Sequence, residues 1–402
     1  MTRAKANALI GQSGGPTCVI NQSLVGLVEA CAQSDAVGAV YGALHGTRGI
    51  LDEQLVDLGR ERPEDLEAVA RTPCAALRSV RMKPTLEDCQ RIVDVFRAHD
   101  VRYFFYIGGN DSSEAAQVLE RVAQDVGYEL TVIHVPKTID NDLLVTDHCP
   151  GFGSAARFVA QALMGDNEDN RSLPGVKIDV VMGRHAGWLT AATRLARHTE
   201  DDGPHLVYVP ERVFELDSFL GDVEDVHARL GRCVVAVSEG IHQADGTLIG
   251  KSKEVDSFGN VQLSGSGALG DLLATHVRTL GSKLRVRADT FGYLQRSYFG
   301  VASETDSREA REVGREAVRV ATRSGRSSGS MVILREDGGE YAVRYDVTDL
   351  ERVAGKTKTL PDEFIEGSSG ISERFLAYVR PLAGPLPRPG RLAEHRVPPR
   401  LA

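Results

Sequence analysis

Short, largely apolar runs break off into loops of glycine and small polar residues, with helix-forming sequence beyond. That recurring order constrains the fold of this chain more than any other feature. Ala8-Leu9-Ile10 leads into Gly11-Gln12-Ser13-Gly14-Gly15-Pro16 and then a segment from Val19 to Ala30. Tyr103 to Ile107 leads into Gly108-Gly109-Asn110-Asp111-Ser112, then Glu114 to Val122. Thr131 to Val135 leads into Pro136-Lys137-Thr138-Ile139-Asp140-Asn141-Asp142, Ile178 to Met182 into Gly183-Arg184-His185, and Cys233 to Val237 into Ser238-Glu239-Gly240. Continuous apolar runs suit strands covered on both faces, and strand, loop, helix in that order suits a parallel α/β sheet. Ligands of such sheets gather at the carboxyl ends of the strands, where these loops fall. Early and middle sets of such loops predict two similar Rossmann-like lobes with mainly parallel sheets and an active site in the cleft between them.

The rest of the chain narrows the class. Its 402 residues suggest two or three domains. Hydrophobic residues at 42% and charged ones at 26% exclude collagen-like and wholly disordered chains. No apolar run approaches the ~20 residues of a membrane span, and the segment before Gly11 lacks the apolar core of a signal peptide. The net charge of −9 argues against a nucleic-acid partner. The six cysteines are scattered without a CxxC pair, which fits a reducing cytoplasm better than zinc or disulfides. Residues 61–70 have helix-start composition, Gly325 to Ser330 reads as a loop, and the Pro/Arg-rich stretch from about residue 380 to 402 reads as an extended tail.

Each loop admits a chemical and a plainer reading. The amides of Ser13-Gly14-Gly15-Pro16 can converge on phosphate oxygens, or the loop is a turn. Asn110 can offer an oxygen to Mg²⁺, and Asp111 can cap the helix that follows. Lys137, Thr138, Asp140 and Asp142 crowd a cation, a hydroxyl and two carboxylates into one loop. There one Asp can take a proton from a sugar hydroxyl and another can help hold Mg²⁺; Asx turns and a salt bridge are the alternative. Arg184 at a strand end can bridge a phosphate or form a surface ion pair. His185 reads as structural or solvent-facing. Glu239 can accept sugar hydroxyls or close a turn. Tyr293 and Arg296 offer a hydroxyl and a guanidinium to a sugar phosphate, and Arg78, Arg81 and Arg287 are further candidate anion binders.

Taken in order, Ser13 to Pro16, Gly108 to Ser112, Pro136 to Asp142, Met182-Gly183-Arg184, Ser238-Glu239-Gly240 and Tyr293-Leu294-Gln295-Arg296 resemble the phosphofructokinase family over most of the chain. The start at Gly11-Gln12-Ser13-Gly14-Gly15-Pro16-Thr17 is similar to its pyrophosphate-dependent branch. The resemblance implies reversible phosphoryl transfer from diphosphate to the 1-hydroxyl of fructose 6-phosphate, giving fructose 1,6-bisphosphate and phosphate in glycolysis or gluconeogenesis, with Mg²⁺. It implies that Asp140 is the general base, with Lys137, Arg184 and Asp111 completing the catalytic set. Gly14, Gly15, Gly109 and Lys137 would bind diphosphate. Thr138, Ile139, Asp140, Met182, Gly183, Arg184, Glu239, Tyr293, Leu294, Gln295, Arg296 and Arg78 would bind the sugar phosphate. Arg287 would be exchanged between subunits of a homodimer or homotetramer with a shared active site, and Asn110 and Asp142 would serve the metal. A donor-binding lobe of residues 1–145 plus about 295–350, and a sugar-phosphate lobe of about 146–294 plus part of the C-terminal region, are expected.

Asp111 and Lys137 bear on the donor. In the ATP-using relatives both places are usually glycine. An Asp there fills the space of a nucleotide's α-phosphate and repels it: two like charges ~4 Å apart cost about 4 kcal/mol at an effective dielectric of ~20. Lys137 offsets charge on bound pyrophosphate. The chain departs from the resemblance at Gly175, where relatives have Arg or Lys, with Lys177 two residues along; this implies a rearranged grip on the 6-phosphate. The competing readings are an ATP-dependent enzyme of the family, a kinase for another sugar phosphate and a non-catalytic sugar-phosphate-binding homologue.

Overall fold

The computed structural model describes residues 5–250, 267–323 and 328–400. The strands of the larger sheet are β1 (Ala6–Gln12), β2 (Val37–Ala43), β3 (Leu55–Asp57), β4 (Val101–Gly108) and β5 (Thr131–Pro136), completed later in the chain. Those of the smaller sheet are β6 (Val176–Val181), β7 (Leu206–Tyr208), β8 (Cys233–Ser238) and β9 (Val286–Thr290). The chain then returns with β10 (Ser328–Arg335) and β11 (Val343–Thr348). The larger sheet runs β11-β10-β5-β4-β1-β2-β3 and is parallel except at its two outermost pairings. The smaller runs β7-β8-β6-β9 and is parallel throughout. The mixed α/β class with mainly parallel sheets is therefore as expected.

The central strands are apolar on both sides because both sides are covered. Ile10 and Phe105 pack with Leu24 and Val313, so helices Ile20–Ala32 and Glu304–Arg323 cover one face of the larger sheet. Leu9 and Phe104 face the other way, onto Phe96 and Leu119 of helices Leu86–Ala98 and Asn110–Asp125. In the smaller sheet Ile178 and Val235 meet Phe219 and Leu273. Val181 and Ala236 belong to a core shared with Phe152 and Phe375 of helices Phe152–Ser172 and Glu373–Ala383. Successive strand residues point to opposite faces, so a strand buried in two layers loses the polar alternation of a half-exposed one.

Helices Ile20–Ala32 and Glu304–Arg323 touch backbone to backbone. A Cβ on Gly26 would lie 2.1 Å from the carbonyl oxygen of Arg311, and one on Gly314 would lie 2.5 Å from that of Ser23. Alanine in place of a helical glycine ordinarily gains up to ~1 kcal/mol. Here overpacking against immovable backbone, at ~1–3 kcal/mol, outweighs that gain. Gly26→Ala is expected to lower the unfolding free energy, read as a lower urea midpoint at unchanged slope; an unchanged or raised midpoint would show that the helices separate without loss.

Two local expectations are corrected. Ser328-Gly329-Ser330, expected in a loop, opens β10, because Ser328 and Ser330 are buried against Val132 and His134 of β5. Gly325 to Ser327 lie outside the described residues. Arg380 and Pro381, read with the extended tail, belong to helix Glu373–Ala383. Its apolar face (Phe375, Leu376, Val379, Leu382) is fixed in the core, and that outweighs the hydrogen bond proline forfeits. From Gly384 to Arg400 no regular element follows, and Arg391 reaches back to Asp202 at 2.6 Å and to Glu168. All six cysteines are free thiols.

Candidate active site

Three loops at the carboxyl ends of β1, β4 and β5 stand side by side, because these strands are adjacent and parallel. After β1, Ser13 N–H donates to Ile107 O (2.9 Å) and Gly14 N–H to Val80 O (3.1 Å). Those two amides are thus engaged in shaping the loop, and contact with an anion falls to Gly15 and beyond. Gly14 takes φ +74°, which glycine adopts without strain. After β4, the helix starts with Gly109 as N-cap and no side-chain cap. Asp111 is exposed in the first turn, so it is not the cap that the plainer reading made it; the amide dipoles there favour its charge.

After β5, Lys137 is buried and its Nζ donates to Gly15 O at 2.6 Å. Its N–H donates to Gly108 O (2.9 Å), so this one residue ties all three loops. Burial and the nearby guanidinium groups of Arg296 and Arg81 push its ammonium down to about 8. Beneath it, buried His134 bridges Ser330 Oγ (2.8 Å) and Gly108 O (2.9 Å), and burial lowers it to about 4, so it is neutral.

Asp140 sits at the centre. Its N–H donates to Thr138 Oγ1 (3.0 Å), which fixes the local backbone. Burial raises its carboxyl above the ordinary value, while Lys137, Arg296, Arg184 and His185 pull the other way. Asp142 is pushed up to about 7 by burial and by the charge of Asp140. Asn110 Nδ2 donates to Asp142 Oδ2 (2.9 Å), while Asn110 Oδ1 is buried with no hydrogen-bond partner. Asn141, at φ +55°, accepts from Cys149 N–H (3.0 Å) and donates to Tyr378 Oη (2.8 Å), anchoring the loop to the C-terminal helix.

The smaller sheet supplies the opposite wall. Arg184 follows β6. Gly183 N–H approaches Glu239 Oε1 at 3.5 Å, and Ser238 Oγ donates to Gly183 O at 2.5 Å, so the ends of β6 and β8 are bound together. Met182 N–H donates to Gln295 Oε1 (3.1 Å), which brings in the helical turn Gly292–Arg296. There the Arg296 guanidinium lies 4.5 Å over the Tyr293 ring. A Cβ on Gly15 would lie 2.4 Å from Arg296 Nη1, so the two walls are in contact.

These walls enclose a cleft of about 460 Å³. Gly14, Gly15, Gly109, Asn110, Asp111, Lys137, Thr138, Ile139, Asp140, Asp142, Met182, Arg184, Glu239, Tyr293 and Arg296 all line it. Gly183 and buried Gln295 support it from behind. Three expected residues stand elsewhere. Arg78 is exposed, with its guanidinium 3.3 Å from His45 Nε2. Arg287 is exposed on edge strand β9 and donates to Val286 O (3.0 Å). Leu294 is exposed. Lys177 is buried among Asp166 (3.3 Å), Asp179 (3.8 Å) and Asp289, its charge committed within the lobe.

Sequence reasoning set His185 aside and missed Thr357 and Gly355, all of which line the cleft. Thr357 pairs with Leu143 in an isolated bridge, and Lys358 N–H donates to Asp142 O (2.6 Å). The signal was Gly355-Lys356-Thr357-Lys358, a glycine beside two cations in an otherwise unassigned segment. No helix among the described residues is long and apolar enough to cross a membrane.

A cleft with a central carboxylate, flanking cations and glycine loops on parallel strands suits transfer of a phosphoryl group to a hydroxyl. Comparison with known proteins agrees. The family described as Phosphofructokinase matches residues 7–321. The chain is 53% identical over 399 residues to a pyrophosphate–fructose 6-phosphate 1-phosphotransferase of Rhodospirillum rubrum, covering 98% of each chain. It is 40% identical over 418 residues to the protein of that name from Halomonas elongata, again over 98% of each. The crystal structure of a pyrophosphate-dependent phosphofructokinase from Nitrosospira multiformis superposes with a TM-score of 0.86 at 34% identity, covering 96% of this chain and 94% of the other. With the ordered loops, the two sheets and these relatives in agreement, this chain belongs to the phosphofructokinase family.

Proposed function

We propose that the protein transfers a phosphoryl group reversibly from diphosphate to the 1-hydroxyl of fructose 6-phosphate, giving fructose 1,6-bisphosphate and phosphate. The observation that carries this reading is one cleft in which Asp140 faces Lys137, Arg184 and Arg296 while Asp111 stands at the rim. Asp140 takes the proton of the 1-hydroxyl as the oxygen attacks. Lys137 and Arg184 meet the charge that spreads over the transferring group and the leaving phosphate. Glu239, Tyr293 and Arg296 hold the sugar phosphate, and Asp111 keeps out the α-phosphate of a nucleotide.

The larger sheet with its returning strands is the donor lobe, and the smaller sheet is the sugar-phosphate lobe. Arg287, exposed on an edge strand, is available to a neighbouring subunit of a homodimer or homotetramer. The enzyme is cytoplasmic and serves glycolysis or gluconeogenesis. A divalent metal, Mg²⁺, fits Asn110 and Asp142, where a buried amide oxygen lacks a partner beside a carboxylate. When bound it neutralises charge on the diphosphate.

The direct test compares initial rates with pyrophosphate and with ATP at equal concentration, with fructose 6-phosphate and Mg²⁺ present. Turnover with pyrophosphate at least about a hundredfold faster follows from the repulsion at Asp111. Turnover with ATP alone would discard the donor assignment, and silence with both would discard the reaction.

The pH dependence has a sign. Lys137 loses its charge as pH rises through about 8, and with it the attraction for diphosphate. Asp142 gains a proton as pH falls through about 7, and with it loses the charge that favours a metal. A plot of kcat/KM for pyrophosphate, which reports the free enzyme, is expected to fall on both sides of that window. Lys137→Arg is expected to move the alkaline limb out of range, and a limb that stays in place would belong to another group.

A further inference from the structure

We infer that the protein carries a second anion site, away from the active cleft, for an organic molecule bearing phosphate or carboxylate groups on an apolar body. A cavity of about 940 Å³ lies between the segment around Arg194–His198, helix Glu373–Ala383 and the tail beyond it. None of its lining residues lines the active cleft.

Its chemistry is one-sided. Arg194, Arg197, Arg380 and Arg388 line it together with His198 and Tyr341, and no carboxylate lines it among the described residues. Glu373 answers two of these cations from outside, at 3.6 Å from Arg194 and 3.5 Å from Arg380. Of the other two, Arg197 has the charges of Asp202 and Glu200 nearby, and Arg388 is left unanswered. Arg197 spends Nη2 on Glu200 O (2.9 Å), but its Nε is buried with no hydrogen-bond partner. Arg388 has no hydrogen bond or ion pair among the described residues. An unpaired buried donor is costly, and planar guanidinium groups converging without carboxylates are how proteins recognise the oxygens of phosphates and carboxylates. Leu195, Leu376 and Leu386 give the same cavity apolar walls, so the fitting ligand has an anionic head and a carbon body rather than being a bare ion.

The tail supplies one wall, which accounts for its composition. Its prolines keep Pro385 to Pro389 extended. Arg391 clips it to Asp202, and Arg157 holds it through Ala383 O at 3.1 Å and Pro385 O. Arg388 is thereby presented to the cavity.

Calorimetric titration of the full chain with phenyl phosphate, with fructose 6-phosphate at saturation, tests the site. Affinity is expected to fall about tenfold or more in Arg388→Ala and in Arg197→Ala, while kcat and the KM for pyrophosphate stay unchanged. Arg388→Ala decides the matter if Arg197→Ala does not fold, since Arg388 is exposed and bound to nothing. Equal affinity in the parent and Arg388→Ala would put the probe in the active cleft and overturn the inference. Absence of binding to the parent at millimolar concentration would overturn it too.

Discussion

Asp140→Asn is expected to lower turnover with pyrophosphate by about a hundred- to ten-thousand-fold, the range general-base catalysis supplies. Binding of fructose 6-phosphate is expected to remain close to that of the parent. The amide keeps the shape of the carboxyl, and the backbone is held independently of the side chain, through Asp140 N–H to Thr138 Oγ1 and through Asn141 to Cys149 and Tyr378. What goes is the ability to take a proton. Burial holds the Asp140 carboxyl above its ordinary value, which makes it a stronger base than a solvated aspartate, while Lys137, Arg296, Arg184 and His185 pull it the other way. Steady-state rates set beside equilibrium binding of the sugar phosphate separate the two effects. An active variant would remove Asp140 from the reaction; an inactive one that no longer binds would make it a structural residue.

The second large effect concerns the donor. Asp111→Gly with Lys137→Gly is expected to depress use of pyrophosphate and to let ATP activity appear, the single Asp111→Gly showing less of both. Asp111 is exposed in the first helical turn, so its removal leaves the fold intact. The repulsion it exerts on a nucleotide α-phosphate is worth about 4 kcal/mol at ~4 Å, several hundredfold or more in binding. Lys137 differs in kind. It is buried, donates to Gly15 O and binds three loops by its main chain and side chain together. Its removal therefore loosens the donor site as well as discharging it, and the loss of pyrophosphate use is expected to exceed the gain with ATP. The ratio of kcat/KM for the two donors measures the gate, and an unchanged ratio in the double variant would show that selection lies elsewhere.

Much of this was legible in the sequence because parallel α/β sheets write themselves locally. Tyr103 to Ile107 is apolar at every position since β4 is buried on both faces, and Gly108 follows because a Cβ there would meet Ser112 Oγ. The loops that line the cleft share one chemistry and one strand end each, so they could be read singly and joined by resemblance. Long-range partnerships were not legible. Nothing local in Thr357 announces a bridge to Leu143, and nothing in Ser328-Gly329-Ser330 announces a strand, because both depend on neighbours almost 200 residues or more away. His185 was set aside for the same reason: its place beside Asp140 exists only once the two sheets face each other.

The larger sheet takes its β5 edge partner from the far end of the chain, and this has a consequence during synthesis. When β1 to β5 have left the ribosome, β5 presents an unpaired edge, and β10 cannot cover it until residues 328–335 emerge. The smaller sheet begins later yet finishes earlier, at Thr290. The nascent chain therefore holds an open, apolar strand edge through the making of nearly half its length, the kind of edge on which other chains add. Truncation before β10 is expected to leave a product that aggregates, whereas truncation beyond β11 leaves that edge covered.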